Sequence, residues 1–233
     1  VNWETLPNYA VLSDRAAEIF LEAILRKPRS VLGLPTGRTP VTMYERVVAA
    51  CGRKYHCFSD VVTFNLDEYA GIERMHAGSY YTFMKEHLFN FIDIDPANAH
   101  IPNGAAADLE AECARYEREI AAAGGLDLTF LGLGSNGHIA FNEPGTPFDS
   151  RTRVVTLTES TRAANASLFP DGRVPTHAIT MGIATILESK SIVLLASGEK
   201  KQAAIERLRS GEISEEFPAS ALWNHPAVTV LTA

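Results

Sequence analysis

Short apolar runs alternate along this chain with longer segments whose apolar residues recur every three or four positions, and this switching between strand-type and helix-type periodicity narrows the fold more than any other feature. Residues 9–27 carry Ala16, Ile19, Phe20, Ala23 and Ile24 at helical spacing until Pro28 stops the pattern. Residues 30–34 form a short apolar run that breaks at Pro35-Thr36-Gly37, and Thr39-Pro40 opens a segment with Met43, Val47 and Val48 on one face. The rhythm continues with a β-rich run at 60–66 before a helical 80–91, and a helical 109–122 before an apolar 126–133. Helices at 161–168 and 181–187 precede a strand at 191–196, and a helix at 200–209 precedes a last strand at 228–231. Residues 134–153, rich in Gly, Pro, Asn and Ser, read as a loop too polar to enter the core. The alternation predicts an α/β fold: an open, largely parallel sheet with helices on both faces, binding its ligand beyond the carboxyl ends of the strands. With 233 residues, 46% of them hydrophobic, the chain can bury one such core as a single domain over 1–233.

Charge and cysteine content narrow the setting. The 21 basic and 28 acidic residues leave a formal charge of -7, which disfavours a nucleic-acid footprint and an anionic membrane surface. A phosphorylated ligand would therefore need a local positive site. No stretch of 18 apolar residues occurs, and no basic segment followed by an apolar one marks the start, so neither secretion nor membrane insertion is expected. Cys51, Cys57 and Cys113 are odd in number and lack metal-type spacing, which predicts neither a disulfide framework nor a zinc site and makes a reducing cytoplasm the simplest home.

Three polar segments fall at the ligand-binding edge. Gly33-Leu34-Pro35-Thr36-Gly37-Arg38-Thr39-Pro40 can cradle a phosphate with glycine, hydroxyls and helix-start amides. A plain strand-to-helix turn, capped by Thr39 with Pro40 at the first helical position, explains all of it except Arg38 and the second hydroxyl. Phe64-Asn65-Leu66-Asp67-Glu68-Tyr69 places two acids at a strand's C-terminal end, where apolar neighbours would desolvate either one and poise it as a general base. A solvated acidic turn, or Asp67 as a helix cap, is the bland alternative.

The third segment is Gly132-Leu133-Gly134-Ser135-Asn136-Gly137-His138-Ile139-Ala140-Phe141-Asn142-Glu143-Pro144-Gly145. Residues 132–137 match G-x-G-x-x-G, but a dinucleotide fingerprint must open a helix, whereas this run reaches Asn142-Glu143-Pro144-Gly145 almost at once, which disfavours nicotinamide or flavin. His138, with Asn136 and Glu143 able to fix its tautomer, is the catalytic candidate. Lys200 and Lys201 lie where a helix start could aim a cation at an anion, or they form a solvated surface pair.

Taken together, LPTGRTP (34–40), FNLDEY (64–69), His76 with Ser79-Tyr80, GLGSNGHIAFNEPG (132–145), SRTR (150–153) and FPASALWNHP (217–226) resemble the glucosamine-6-phosphate deaminase family over nearly the whole chain. The 6-phosphogluconolactonases look similar mainly at the phosphate loop, and segments 124–134 and 218–223 also look like the galactosamine-6-phosphate branch. The resemblance implies a Rossmann-like α/β fold, no metal or organic cofactor, and conversion of a 2-amino-2-deoxyhexose 6-phosphate and water into a ketohexose 6-phosphate and ammonia. His138 would shuttle the ring-oxygen proton while Glu143 and Asn136 orient it, and Asp67 would move the C2 proton to C1, with Glu68 beside it in the substrate site. The phosphate would meet the amides of Thr36, Gly37, Arg38 and Thr39 and the ammonium of Lys201.

Departures from the family pattern carry their own expectations. Where typical glucosamine-specific members supply a phosphate arginine this chain has Ser167, and the guanidinium of Arg38 is taken to replace it. Asn136 stands where many members carry aspartate, a change expected to act on the His138 pKa. Val155 stands where allosterically activated members carry lysine, although Arg153 is retained, so weak or absent activation by an acetylated sugar phosphate is expected. Galactosamine 6-phosphate deamination, lactone hydrolysis and a non-catalytic sugar-phosphate sensor are the alternatives. The partner is a small-molecule amino sugar phosphate, not a nucleic acid or a membrane, and assembly into a homo-oligomer stays open.

Overall fold

Burial that alternates from one residue to the next shows how the sheet is dressed. Leu32, Leu34, Phe130, Val193, Leu195 and Leu231 enter one apolar core, while their chain neighbours Val31, Leu131, Ile192, Leu194 and Val230 enter another. Strands with two dry faces need helices on both. The computed structural model, which describes residues 1–51, 57–169 and 172–233, supplies them.

The first half of the chain runs β1 (Asn2–Thr5), α1 (Tyr9–Arg26), β2 (Val31–Leu34), α2 (Val41–Cys51), β3 (Val62–Asn65), β4 (Asp67–Tyr69), α3 (Tyr80–His87), β5 (Ala99–His100) and α4 (Leu109–Ala122). It continues with β6 (Leu128–Gly132), β7 (Arg153–Thr156), α5 (Glu159–Asn165), β8 (His177–Thr180), α6 (Ile183–Leu187), β9 (Ser191–Ala196), α7 (Gln202–Arg209) and β10 (Val228–Thr232). Seven strands form one parallel sheet in the order β1-β10-β9-β6-β2-β3-β5. From β2 the chain steps outward through β3 to β5, then crosses back to β6 and continues the other way through β9 to β10. The reversal between β2 and β6 opens a crevice past their carboxyl ends, the place where such sheets bind ligands.

α1 shows how local sequence builds a layer. Asn8 accepts from the Val11 amide and starts the helix, and Leu12, Ala16, Phe20 and Ile24 recur every four residues as its buried stripe. Phe20 stacks on Phe130 of β6 with ring centroids 5.5 Å apart. Truncating it to alanine would cost about 3–5 kcal/mol, the usual figure for a fully buried aromatic.

The structure corrects several expectations. A second, three-stranded antiparallel sheet, β4-β8-β7, was not foreseen. Asp67 and Glu68 do not close β3; they begin β4, one residue past it, with Asp67 opposite Thr180 and Glu68 opposite Ile179. The 134–153 segment is not all solvated, because Ile139 and Asn142 are fully buried and Phe141 nearly so. The Asn142 amide lets it enter by donating to the carbonyls of Ile139 (3.0 Å) and Met181 (2.8 Å). α5 starts two residues before 161, because Thr158 caps it, and it yields at Asn165 to a 3-10 turn, Ala166–Leu168. α6 begins at Ile183 after Gly182, not at 181, and α7 follows a 3-10 turn, Glu199–Lys201. The helix expected over 80–91 ends at His87. Cys51 and Cys57 form a disulfide across a Cα separation of 6.1 Å, contrary to the reading of an odd cysteine count, while Cys113 is buried and free. Among the described residues no helix is long and apolar enough to cross a membrane.

Candidate active site

The loop after β2 turns its backbone amides inward because its carbonyls are tied elsewhere. Tyr44 donates its hydroxyl to the Pro35 carbonyl (2.6 Å) and Tyr9 donates to the Thr39 carbonyl (2.9 Å). The carbonyls of Arg38 and Pro40 receive the first helical amides, those of Val41 and Tyr44. Gly37, at φ +92°, takes the left-handed conformation that a side chain would resist, and the amides of Thr36, Gly37, Arg38 and Thr39 find no acceptor among the described residues. Consecutive free amides around a left-handed glycine make an anion-binding nest. The exposed Arg38 and the half-buried Lys201, in the turn before α7, have no carboxylate partner among the described residues. Burial pushes the Lys201 ammonium below its usual pKa.

The two neighbouring acids part company. Asp67 is 6% exposed, its carboxylate has no hydrogen-bond donor among the described residues, and it lines the crevice. Burial first, then the charge of Glu68, pushes its pKa up to about 8. Glu68 points away, because alternate residues of a strand face opposite sides. Its carboxylate accepts from the amides of Tyr69 (2.8 Å), Tyr80 (3.0 Å) and Tyr81 (3.1 Å), capping α3. Burial raises it to about 7 against the opposing pull of those amides and of Arg74. Glu68 borders a separate cavity of about 410 Å³, with Arg74, His100 and Arg115, and not the crevice.

His138 sits on the loop after β6, placed there by two glycines. A side chain at Gly134 would collide with the imidazole at 2.4 Å, and Gly137 turns the chain at φ +89° against the ring of Phe217. The imidazole Nδ1 lies 2.8 Å from the Asn136 Oδ1, and the Asn136 Nδ2 donates to the Glu143 Oε2 at 2.7 Å. An amide oxygen can only accept, so Nδ1 carries the proton and Nε2 is left as the basic nitrogen. Nδ1 and Glu143 stand 3.7 Å apart with the amide as intermediary. Desolvation holds the imidazole below its ordinary pKa, with Glu143 pulling it up and Lys201 pushing it down.

These groups converge on one crevice of about 370 Å³, lined by Thr36, Gly37, Arg38, Thr39, Asp67, His138 and Lys201. Asn136 and Glu143 stand behind His138 and Glu68 behind the strand; Lys200 and Ser167 do not line it. His76 accepts from the Gly78 amide at 3.0 Å and lies outside it. The sequence reading assigned no role to Tyr80, Phe141, Thr161 or Asn165, which also line it. Tyr69, Tyr80, Phe141 and Phe169 pack as an aromatic cluster beside it, with Tyr69 to Tyr80 at 4.9 Å and Tyr69 to Phe169 at 5.0 Å. The signal for α5 was Thr158, a cap placed just before a helical segment. Residues 133–138 open no helix, in keeping with the reading against a dinucleotide site. Among the described residues no group of three or more His, Cys, Asp or Glu is disposed to hold a metal ion.

A parallel sheet that gathers a bare carboxylate, an oriented imidazole and a cationic cradle past its carboxyl edge defines a class: an α/β enzyme for a small anionic molecule. The chain belongs to the family described as glucosamine-6-phosphate isomerases/6-phosphogluconolactonase, whose model matches residues 8–231. It is 55% identical over 232 residues to a glucosamine-6-phosphate deaminase of Lysinibacillus sphaericus (strain C3-41), covering 99% of this chain and 98% of that one. It is 51% identical over 224 residues to glucosamine-6-phosphate deaminase 1 of Bacillus subtilis (strain 168), covering 96% and 93%. Among solved structures, a monomeric glucosamine-6-phosphate deaminase superimposes with a TM-score of 0.94 at 48% identity, covering 100% of this chain and 97% of that one. A 6-phosphogluconolactonase from Thermotoga maritima shares the fold, with a TM-score of 0.78 at 22% identity over 99% and 98% of the two chains.

Proposed function

We propose that the chain converts glucosamine 6-phosphate and water into fructose 6-phosphate and ammonia, and one observation carries this: Asp67, a buried carboxylate without a partner, shares a crevice with the free Nε2 edge of His138 and with the unclaimed amides of 36–39. The phosphate occupies the cradle of amides from Thr36 to Thr39, with Lys201 and Arg38 supplying charge. His138 Nε2 takes the proton of the anomeric hydroxyl and returns it to the ring oxygen, opening the pyranose to its aldehyde. Asp67 removes the proton from C2 as the electron pair moves to the carbonyl, then delivers it to C1. The nitrogen-bearing C2 becomes an imine that water converts to the ketone with loss of ammonia. A carboxylate with a pKa near 8 holds the travelling proton more firmly than an ordinary aspartate.

The near relatives are named for the glucosamine epimer, so galactosamine 6-phosphate ranks second and lactone hydrolysis third, supported by the family's joint description and a fold shared at 22% identity. An unpartnered Asp67 is redundant to a lactonase, which abstracts no proton from carbon. Coupled detection of fructose 6-phosphate and ammonia, with both epimers supplied in parallel, decides: both products from the gluco epimer uphold the reading, and ammonia from the galacto epimer alone overturns it.

Arg38 stands in for the arginine absent at Ser167. Arg38→Glu should raise KM about tenfold or more with kcat little changed, as loss of one charge-assisted phosphate contact implies. An unchanged KM would return the phosphate to Lys201 and the amides alone. The chain acts as one domain and, like the monomeric neighbour, as a monomer: its exposed Val11 and Leu25 lie near opposite ends of α1, and Met75, Phe91 and Ile213 lie on three other segments. A cytoplasmic setting suits a phosphorylated substrate, with the Cys51–Cys57 bond the feature that leans the other way.

A further inference from the structure

Glu143 has two oxygens, and the proton relay uses only one. Oε2 receives the Asn136 amide at 2.7 Å, while Oε1 receives the hydroxyl of Thr161, which comes from a different element, α5. Thr161 is 8% exposed, and its hydrogen bonding is directional. The capping Thr158 hydroxyl donates to Thr161 Oγ1 at 3.0 Å and also receives the Thr161 amide at 3.2 Å. A hydroxyl has one proton, and with Thr158 already donating to it, Thr161 gives its proton to Glu143.

One turn later on the same helix face, Asn165 lines the same crevice as Tyr80. Tyr80 donates to the Tyr69 hydroxyl at 3.3 Å and lines the crevice with Thr36 of the cradle. The Thr158 cap fixes the first turn of α5, and Thr161 meets Glu143 from a fixed direction.

We propose that Thr161 is a positioning residue of the reaction: its hydroxyl holds the Glu143 carboxylate in line with Asn136 and so sets the proton affinity of His138. This rests on the reading of His138 as the proton carrier. The charged groups facing the pair are few. Glu143 and Lys201 face the imidazole, Asp67 and Arg38 line the same crevice, and Arg153 on β7 reaches the adjoining loop through Asn142 (2.8 Å) and Thr146 (3.4 Å). Glu215 approaches that loop from beyond α7, taking the Phe148 amide at 3.3 Å. None of them bonds Oε1, so the Thr161 proton is what disperses charge from that side of the carboxylate. Without it the charge concentrates, the imidazolium is favoured, and the neutral imidazole that accepts the anomeric proton appears only at higher pH.

The test compares Thr161→Val, which keeps shape and removes the donor, with Thr161→Ser, which keeps the donor. Thr161→Val is expected to lose about tenfold in kcat/KM near neutral pH, the scale of one hydrogen bond to a charged group. KM should stay within about twofold and the acid limb of the profile should move up. Thr161→Ser should restore the limb to its original position. NMR titration of the His138 ring in the ligand-free protein reads the same upward shift without turnover. A His138 titration unmoved in Thr161→Val, or a Thr161→Ser enzyme as impaired as the valine variant, overturns the proposal. His138→Gln separates the two readings: full activity there removes the proton-carrier assignment itself, whereas a crippled His138→Gln beside an unshifted Thr161→Val removes this inference alone.

Discussion

The two walls of the crevice make their reactive groups by opposite means. On the β3–β4 wall, Asp67 is buried and given no donor among the described residues, so its pKa of about 8 comes first from withheld solvation and then from the Glu68 charge. On the wall after β6, every polar atom behind the His138 Nε2 edge is spoken for, through Asn136 and Glu143 to Thr161. A group that must hold and release a proton at carbon gains from isolation, since nothing then competes for it. A group that must hand one proton between two oxygens gains from a fixed tautomer and direction. The contrast predicts that mutations on the first wall act on stability and pH together, and that those on the second act mainly on turnover.

Asp67→Asn should have the largest effect, about 10⁴-fold in kcat, at the upper end for a general base. It should also stabilise the fold at alkaline pH. The folded pKa of Asp67 lies above its unfolded value of 3.8, so its contribution is fully present below that value and is lost as pH rises through about 8. Asparagine does not titrate. Thermal unfolding of the two proteins from pH 5 to 9 should show a gap widening in favour of the variant, and parallel curves would mean that Asp67 is solvated.

His138→Gln comes next, at about 10²–10³-fold in kcat, because the anomeric proton can still reach the ring oxygen through water. Its unfolding temperature should change little between pH 7 and 9, since the imidazole is already neutral there and its packing against Gly134 is retained. A stability change as large as that of Asp67→Asn would erase the distinction between the walls.

What could be read from the sequence divides along the same line. The cradle and the His138 loop were legible because turns write their requirements locally: Gly37 and Gly137 at positive φ, and Asn136, His138 and Glu143 within eight residues. From its own residues the first wall was legible only as an acid pair, and it was the family resemblance that singled out Asp67. Which acid faces the crevice depends on β4, whose three residues pair with Ala178, Ile179 and Thr180 more than a hundred positions away. No periodicity shows in three residues, and the small sheet was missed with it. Thr161 was hidden for a related reason: its contact with Glu143 joins two segments that say nothing of each other, although Thr158 did mark where its helix begins.

Glu68→Gln should have the smallest effect and bears most directly on how the first wall works. The three amides on its carboxylate, two on Oε1 and one on Oε2, make it a cap for α3 that does not line the crevice. Glutamine keeps one oxygen, so one or more amides lose their acceptor and the fold should weaken by about 1–2 kcal/mol, the scale of a lost cap. Removing the neighbouring charge also lowers the pKa of Asp67, and the acid limb of kcat should move to lower pH, with KM unchanged. Near neutral pH the variant should then equal or slightly exceed the parent in kcat, since more Asp67 is ionised there. A raised KM with an unmoved limb would place Glu68 against the sugar after all, and the isolation of Asp67 would no longer account for its basicity.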